Sequence, residues 1–236
     1  SLNRPWMRNY AERLIATCHR RGAFAMGGMA AFTPGRSEAL RAEQTRKVLE
    51  DKQLEASMGH DGCWVSHPYF IGPALSAFTR NNQLDVVPAI EEQADLLPKG
   101  GGPCTLGGLR TNVRVGIAYM RGWRRDIGCV AWDNLMEDLA TLEISRAQTW
   151  QWLHHEVELE EGSFVALPLV EQVFGEEHQK IADELRLEMA DADPALVELA
   201  LEELADARAE AQSLFTEKRF RSFLTCRSEL VVKETK

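Results

Sequence analysis

Two short apolar segments that contain or border on glycine, each followed by a helical pattern, most restrict how this chain folds. The first, at 23–32, precedes a helix predicted over 37–55. The second, at 63–66, precedes a helix predicted from Pro73 to Asn81. A strand, a helix, a strand and a helix in this order are typical of a parallel α/β fold. Two such units are too few to close a sheet, so we expect missing residues or a partner chain to complete it, unless the strand predictions are wrong.

The rest of the chain is mostly helical in pattern. A stretch rich in proline and glycine at 85–110 predicts a linker or a long loop. Spacing of apolar residues, with Pro and Gly between segments, predicts further helices on both sides of this stretch. They cover 6–21, 108–125, 138–155, 168–191 and 194–222.

Composition excludes several classes of protein. The chain of 236 residues is 44% hydrophobic and 27% charged, which are ordinary values for a globular protein. It has no apolar run long enough to span a membrane and no secretory signal pattern. A net charge of −9 argues against nucleic acid or a membrane surface as a partner. The first residue is Ser1 rather than Met, so we expect a piece of a longer protein or a processed one. No S-K-L address ends the chain, so a cytoplasmic location is expected.

Common catalytic and metal-binding motifs are missing from the sequence. The 5 cysteines are odd in number, widely spaced and without C-x-x-C, which argues against a disulfide framework or a zinc site. The histidines form no H-E-x-x-H pair, and there is no G-x-S-x-G, P-loop or G-x-G-x-x-G pattern. His154 and His155 are expected to cap a helix rather than bind a metal.

The stretch GCVAWDNLMEDLATLEISRAQTWQWLHH at 128–155 is the most distinctive part of the chain. It closely resembles the signature region of malate synthases, especially the shorter A-type, through NLMED, ATLEISRAQ and WQW. Other segments resemble the same family in the same order. They are CHRRGAFAMGGMAAF at 18–32, DGCWVSHP at 61–68, GLRTNVRVGIAYMRGW at 108–123 and FLT at 223–225.

The resemblance implies a fold of two parts. Residues 1–98 would form the last two β/α units of a TIM barrel, and residues 99–236 a helical C-terminal domain that carries the catalytic base. The ending FLTCRSEL at 223–230 departs from the family pattern, which puts local packing in doubt. No segment matches the upstream part of the family, with its catalytic arginine and the carboxylates that hold Mg²⁺.

The resemblance also implies the reaction, a Claisen condensation of the glyoxylate cycle in which acetyl-CoA, glyoxylate and water give malate and CoA. Mg²⁺ would be held by ligands in the missing upstream half, and we expect this chain alone to be inactive. Its partner would be that half or another copy of itself. A non-catalytic helical or partial-barrel fragment, one half of a split enzyme, and a sister acyl-CoA lyase are the alternatives.

Asp138 matches the catalytic base of the family. It opens the helix predicted over 138–155, and a helix N-terminus stabilises a negative charge. The alternative is that Asp138 only caps this helix. Because one lone pair cannot serve both roles, we expect Glu137 or Asn134 to cap the helix instead.

Four more residues are implied to line the site. Trp64 and Pro68 match a strand-end W-V-x-x-P pattern, so that Pro68 would contact CoA and Trp64 the substrate. Met29 and Met136 would line the same pocket. The alternatives are a core tryptophan, a loop proline and two core methionines. Gly27 and Gly28 predict close approach of a ligand or another backbone to the end of the strand.

Overall fold

The computed structural model describes residues 4–90, 95–97 and 101–224. It divides the chain into two units, residues 1–101 with 133–136 and residues 102–132 with 137–236. Parts of the predicted linker, and all but the first two residues of the segment at 223–230, lie outside the described residues.

The first unit has the predicted order of strand, helix, strand and helix. Its elements are α1 (Pro5–His19), β1 (Met26–Ala30), α2 (Glu38–Met58), β2 (Gly62–Val65), a 3₁₀ turn (Pro68–Phe70) and α3 (Ile71–Ala77). β1 and β2 pair in parallel, as predicted, with Met26 opposite Gly62 and Ala30 opposite Val65. The described residues form a two-stranded sheet here and no closed barrel.

Helix α2 begins as its sequence predicts but buries a different face. The hydroxyl oxygen of Ser37 accepts the amide hydrogen of Leu40 at 3.2 Å and caps the helix. The sequence predicts an apolar stripe along this helix, of which only Val48 is buried. Its predicted members are Leu40, Thr45, Val48, Leu49 and Leu54. The other buried positions of the helix are Gln44, Lys52, Glu55 and Met58.

A buried histidine ties together the starts of both strands. Nε2 of His19 lies 2.9 Å from Oδ2 of Asp61, and its Nδ1 lies 2.5 Å from the carbonyl oxygen of Val86. The Asp61 carboxylate also accepts the amide hydrogens of Ala25 at 2.7 Å and Gln83 at 2.6 Å. Since Ala25 precedes β1 and Asp61 precedes β2, this group fixes one end of the sheet.

The second unit is helical apart from one hairpin. Its elements are α4 (Leu106–Trp123), β3 (Cys129–Trp132), α5 (Leu139–His154), α6 (Leu167–Glu188) and α7 (Pro194–Thr216). The second strand of the hairpin, β4 (Leu135–Asp138), begins with two residues that belong to the first unit. The predicted helices are present with ends moved by a few residues. The β3–β4 hairpin was not predicted, and α7 stops six residues before the predicted end at 222.

Helix α4 is the centre of this unit and packs against α5, α6 and α7. Of its predicted core residues, Val113 and Ile117 are fully buried. Trp123 is 38% exposed, so its prediction as a core residue is wrong, since it ends the helix. A Cβ atom at Gly116 would lie 2.6 Å from Cζ of Phe215, so only glycine allows α7 to approach this closely. Among the described residues, no helix combines the length and apolar character needed to cross a membrane.

We expect the stability of the chain to depend on pH through His19. Burial lowers the pKa of His19, but the Val86 carbonyl and the Asp61 carboxylate, with help from Asp85, outweigh burial and raise the pKa above 6.5. A histidine with a raised pKa stabilises the folded state below 6.5, and this stabilisation is lost as pH rises through the raised value. The free energy of unfolding of the unmodified chain should therefore exceed that of His19→Gln most below pH 6.5.

The difference in free energy of unfolding between the two chains separates the effect of His19 from that of its neighbour His60. Burial lowers the pKa of His60, which destabilises the folded state as pH falls below 6.5 and opposes the effect of His19 in the total. Urea unfolding of both chains on either side of pH 6.5 measures the difference. A difference that stays constant with pH would contradict a protonated His19 in the folded state.

Candidate active site

The paired strands bring two of the predicted pocket residues together. Met29 on β1 lies opposite Trp64 on β2, so their side chains share one face of the sheet. Trp64 is 67% exposed. Met29 is half-buried.

A backbone hydrogen bond holds Met136 beside the end of β1. Its amide donates a hydrogen bond of 2.6 Å to the carbonyl oxygen of Ala31, directly after β1. Next to it, Phe32 and Leu135 form an antiparallel bridge. Met136 therefore lies at the carboxyl end of β1, beside Ala31, the residue that follows the strand.

Pro68 follows β2 at the corresponding end of the second strand. It is exposed and opens a 3₁₀ turn, where its lack of an amide hydrogen costs little. Nδ1 of His67 accepts the amide hydrogen of Tyr69 at 3.1 Å and caps the turn. The Ser66 hydroxyl donates to the carbonyl of Phe32, which joins the ends of the two strands.

A tight turn leads the chain into β4. Asp133 and Asn134 have φ angles of 47° and 62°, and two consecutive positive values at Asp and Asn are typical of a type I′ hairpin turn. The carbonyl oxygen of Asn134 accepts the amide hydrogen of Thr33 at 2.8 Å. Asn134 is thus a turn residue, and the expectation that it caps the next helix is wrong.

Asp138 ends β4 and is itself the N-cap of α5. Its Oδ1 accepts the amide hydrogen of Thr141 at 3.1 Å and the hydroxyl hydrogen of Thr141 at 3.3 Å. The Asp138 amide lies 3.4 Å from the Thr141 hydroxyl oxygen, which completes a capping box. The expectation that Glu137 caps the helix is therefore wrong as well.

The helix cap uses only one of the two carboxylate oxygens of Asp138, which leaves the second oxygen for another role. A carboxylate offers about four lone-pair directions on two oxygens, so one oxygen is enough for the cap. Within the part of the chain that the structure describes, Oδ2 accepts no hydrogen bond. Asp138 is half-buried, so its two oxygens have different surroundings.

A buried tyrosine lies within electrostatic reach of this carboxylate. Burial raises the pKa of the Tyr119 phenol, and the negative charge of Asp138 raises it further. The phenol donates a hydrogen bond of 3.2 Å to the carbonyl of Gly128. The Tyr119 phenol therefore stays neutral, and its hydroxyl hydrogen is used in the bond to Gly128.

An ion pair that the sequence patterns do not predict holds β1 in its irregular path. The register of β1 shifts between Gly27 and Met29. At this point Nζ of Lys52 donates to the carbonyl of Gly28 at 2.7 Å, and Oε1 of Glu55 accepts the Gly28 amide hydrogen at 3.1 Å. Lys52 and Glu55 also bond to each other at 3.0 Å. The ion pair thus binds a peptide unit that the shift removes from regular pairing.

The glycines of β1 are explained by the same ion pair. A Cβ atom at Gly27 would clash with Oε2 of Glu55, so the group that approaches this strand closely is a side chain rather than the predicted ligand or backbone. The only sequence signal is that Lys52 and Glu55 continue a helical stripe through Val48. Apolar periodicity does not find it because both side chains are charged.

The described residues do not fit a metal ion. No group of three or more His, Cys, Asp or Glu side chains among them is arranged to hold one. This part of the chain therefore supplies no site for the Mg²⁺ that the resemblance implies.

Comparisons with known proteins cover both units. Residues 1–97 match the family model described as malate synthase, TIM barrel domain. Residues 104–227 match the one described as malate synthase, C-terminal.

Individual relatives agree with the family models. Malate synthase A of Escherichia coli (strain K12) is 44% identical over 195 residues, which is 78% of this chain and 36% of that protein. Malate synthase of Myxococcus xanthus is 43% identical over 194 residues, covering 78% of this chain and 35% of the relative. The glyoxysomal malate synthase of Gossypium hirsutum is 46% identical over 165 residues, covering 66% and 29%. The chain thus spans at most 36% of the length of these three relatives, and it belongs to the malate synthase family.

Proposed function

We propose that this chain is the part of a malate synthase that supplies the catalytic base for joining acetyl-CoA to glyoxylate. The observation that carries the proposal is the carboxylate of Asp138, with one oxygen in the helix cap and the other accepting no hydrogen bond among the described residues. Membership of the family supports the choice of reaction. The substrates are inferred from the family because the chain spans only part of its relatives.

Asp138 would begin the reaction by taking a proton from the methyl carbon of acetyl-CoA. The electron pair of that C–H bond becomes the enolate, whose carbon attacks the aldehyde carbon of glyoxylate. That pair forms the new C–C bond, the π pair of the aldehyde C=O bond moves to its oxygen, and this oxygen gains a proton. Water then cleaves the thioester of malyl-CoA to release malate and CoA. A methyl proton is a very weak acid, so the base must be held within hydrogen-bond reach of it.

The cap supports this role because it orients the base. The bond from Thr141 to Oδ1 restricts rotation of the carboxyl group, and a fixed carboxyl presents Oδ2 in one direction. The N-terminus of α5 also stabilises the negative charge that a base requires.

The remaining site residues are proposed from the ends of the strands. Met29, Trp64 and Met136 would line the substrate pocket, and Pro68 would contact CoA. Active sites of TIM barrels lie at the carboxyl ends of the strands, where the chain carries these residues. Exposure of Trp64 supports contact with a ligand or with a missing part of the barrel.

We further propose that residues 1–98 are the last two β/α units of the barrel and residues 99–236 the helical domain. In this proposal Mg²⁺ and the catalytic arginine belong to the missing upstream part. A base without these groups has nothing to stabilise the enolate, so the isolated chain should be inactive. A second candidate, one half of a split enzyme, is favoured by a two-stranded sheet, which is marginally stable alone.

Substitutions at Asp138 separate the cap from the base. Asparagine caps a helix about as well as aspartate but cannot remove a methyl proton, whereas alanine does neither. We expect Asp138→Asn to unfold in urea like the unmodified chain and Asp138→Ala to lose about 1 kcal/mol. Equal losses in both variants would show that the charge, rather than the Thr141 hydrogen bond, is what stabilises α5.

Activity is tested with the chain alone and with the missing part supplied. CoA release from acetyl-CoA, glyoxylate and Mg²⁺ should be absent with the pure chain. We expect release after the chain is coexpressed with the portion of E. coli malate synthase A that it does not cover. Asp138→Asn should then lower the rate by about 10²–10⁴-fold, the range for loss of a general base.

Three outcomes would contradict the proposal. Turnover by the pure chain would show that it holds its own substitutes for the arginine and the metal ligands. Full turnover with Asp138→Asn in the coexpressed protein would remove Asp138 as the base. A stable complex without turnover in either form would favour the non-catalytic alternative.

A further inference from the structure

The segment that follows α7 runs along α5 instead of continuing as a helix. We name residues 217–224 the strap. At its start, Nε1 of Trp150 donates to the carbonyl of Glu217 at 2.7 Å. Nε2 of His154 lies 3.2 Å from the carbonyl oxygen of Lys218. The strap thus begins beside the carboxyl end of α5.

The middle of the strap is held by an aromatic ring and a buried cation. The Arg146 guanidinium lies 4.2 Å from the centroid of the Phe220 ring, and the Trp150 ring lies 5.1 Å from it. A cation over an aromatic face is attracted to it, most strongly when buried. Nη2 of Arg146 also donates to the carbonyl of Arg221 at 3.0 Å.

The end of the strap reaches the first turns of α5. Oε1 of Glu143 accepts the amide hydrogen of Leu224 at 2.8 Å, while its Oε2 accepts from Arg146 at 2.6 Å. The Leu224 side chain is buried in the core of the second unit. The strap therefore runs antiparallel to α5, from His154 back to a residue five positions after Asp138.

We infer that the strap is a positioning element for the carboxylate of Asp138, an inference that rests on the proposed function. The first turn of a helix is where a helix frays, because its amides lack partners within the helix. Here the cap on Thr141 is the bond that orients the base. The strap, through Glu143 and Leu224, holds the following turn so that the cap cannot open.

The burial of Arg146 makes this coupling strong. Arg146 has no exposed surface, and its Nε and Nη1 have no hydrogen-bond partner in the described residues. Its remaining polar contacts are Glu143 and the strap. A buried cation that loses a partner is costly, so α5 near Glu143 must rearrange when the strap is released.

The test compares Phe220→Ala with Phe164→Ala. Phe164 is an aromatic residue of the same unit that is 57% exposed and lies outside α5 and the strap. Residue-resolved amide hydrogen exchange is measured over α5 and over α6, together with the carboxyl ¹³C resonance of labelled Asp138. Neither measurement requires turnover, so the result stands whether or not the proposed reaction is correct.

We expect Phe220→Ala to speed exchange of the Thr141 amide about tenfold, as local opening becomes easier, while α6 keeps its protection. The Asp138 resonance should move in the same variant and stay in place in Phe164→Ala. In the coexpressed protein, kcat should fall while KM for acetyl-CoA is unchanged, because the base is misdirected rather than the substrate lost.

Two results would overturn the inference. One is an unchanged Thr141 amide and Asp138 resonance in Phe220→Ala. The other is equal loss of protection in α5 and α6, which is what a merely structural strap would give. If Phe220→Ala does not fold, Trp150→Phe gives the same two readings, because it removes the hydrogen bond to Glu217 and keeps a smaller ring beside Phe220.

Discussion

The hydrogen bond from the Thr141 amide to Oδ1 of Asp138 fixes both where α5 begins and how the carboxyl group is turned. A helix N-terminus normally uses its capping side chain for stability alone. In this chain the cap is a carboxylate, whose second oxygen needs no part in the cap. With the role proposed for Asp138, one residue would serve stability and chemistry without competition for a lone pair. The strap and the buried core then restrain the same helix from two other sides.

Polar bonds replace regular strand pairing at the first strand. Gly28 has no partner in the ladder at the register shift, so its amide and carbonyl groups need partners elsewhere. Lys52 and Glu55 satisfy it and at the same time neutralise each other. Burying an ion pair contributes little net stability, so specificity is the better explanation for it. The gain here is one defined position for Met29 relative to Trp64.

Sequence patterns predict the helices, the two parallel strands and the residues of the candidate site, but not equally completely. The helices follow from apolar spacing and from caps such as Ser37, because these depend on nearby residues. The buried face of α2 and the path of the strap do not follow from local patterns, because Lys52 and Phe220 are held by contacts with residues far away in the chain. The β3–β4 hairpin carried a local signal in Asp133 and Asn134, although neither is glycine. The catalytic role of Asp138 is inferred from the resemblance to a family motif, because its spacing alone fits a residue that only caps the helix equally well.

The exposed side chain of Trp64 lies on a face of the first unit that further strands would cover. In a closed parallel barrel every strand has two neighbours, and its inner face is covered by side chains from the other strands. β1 and β2 have only each other within the described residues, and the face they share carries Met29 and Trp64. A large indole left in water forfeits the stabilisation that burial would give. The relatives are almost three times as long as the matched part. In the barrel proposed above, neighbouring strands would cover this indole together with the substrate. A small substrate would cover the tip of one side chain, whereas the unpaired edges of both strands call for further strands.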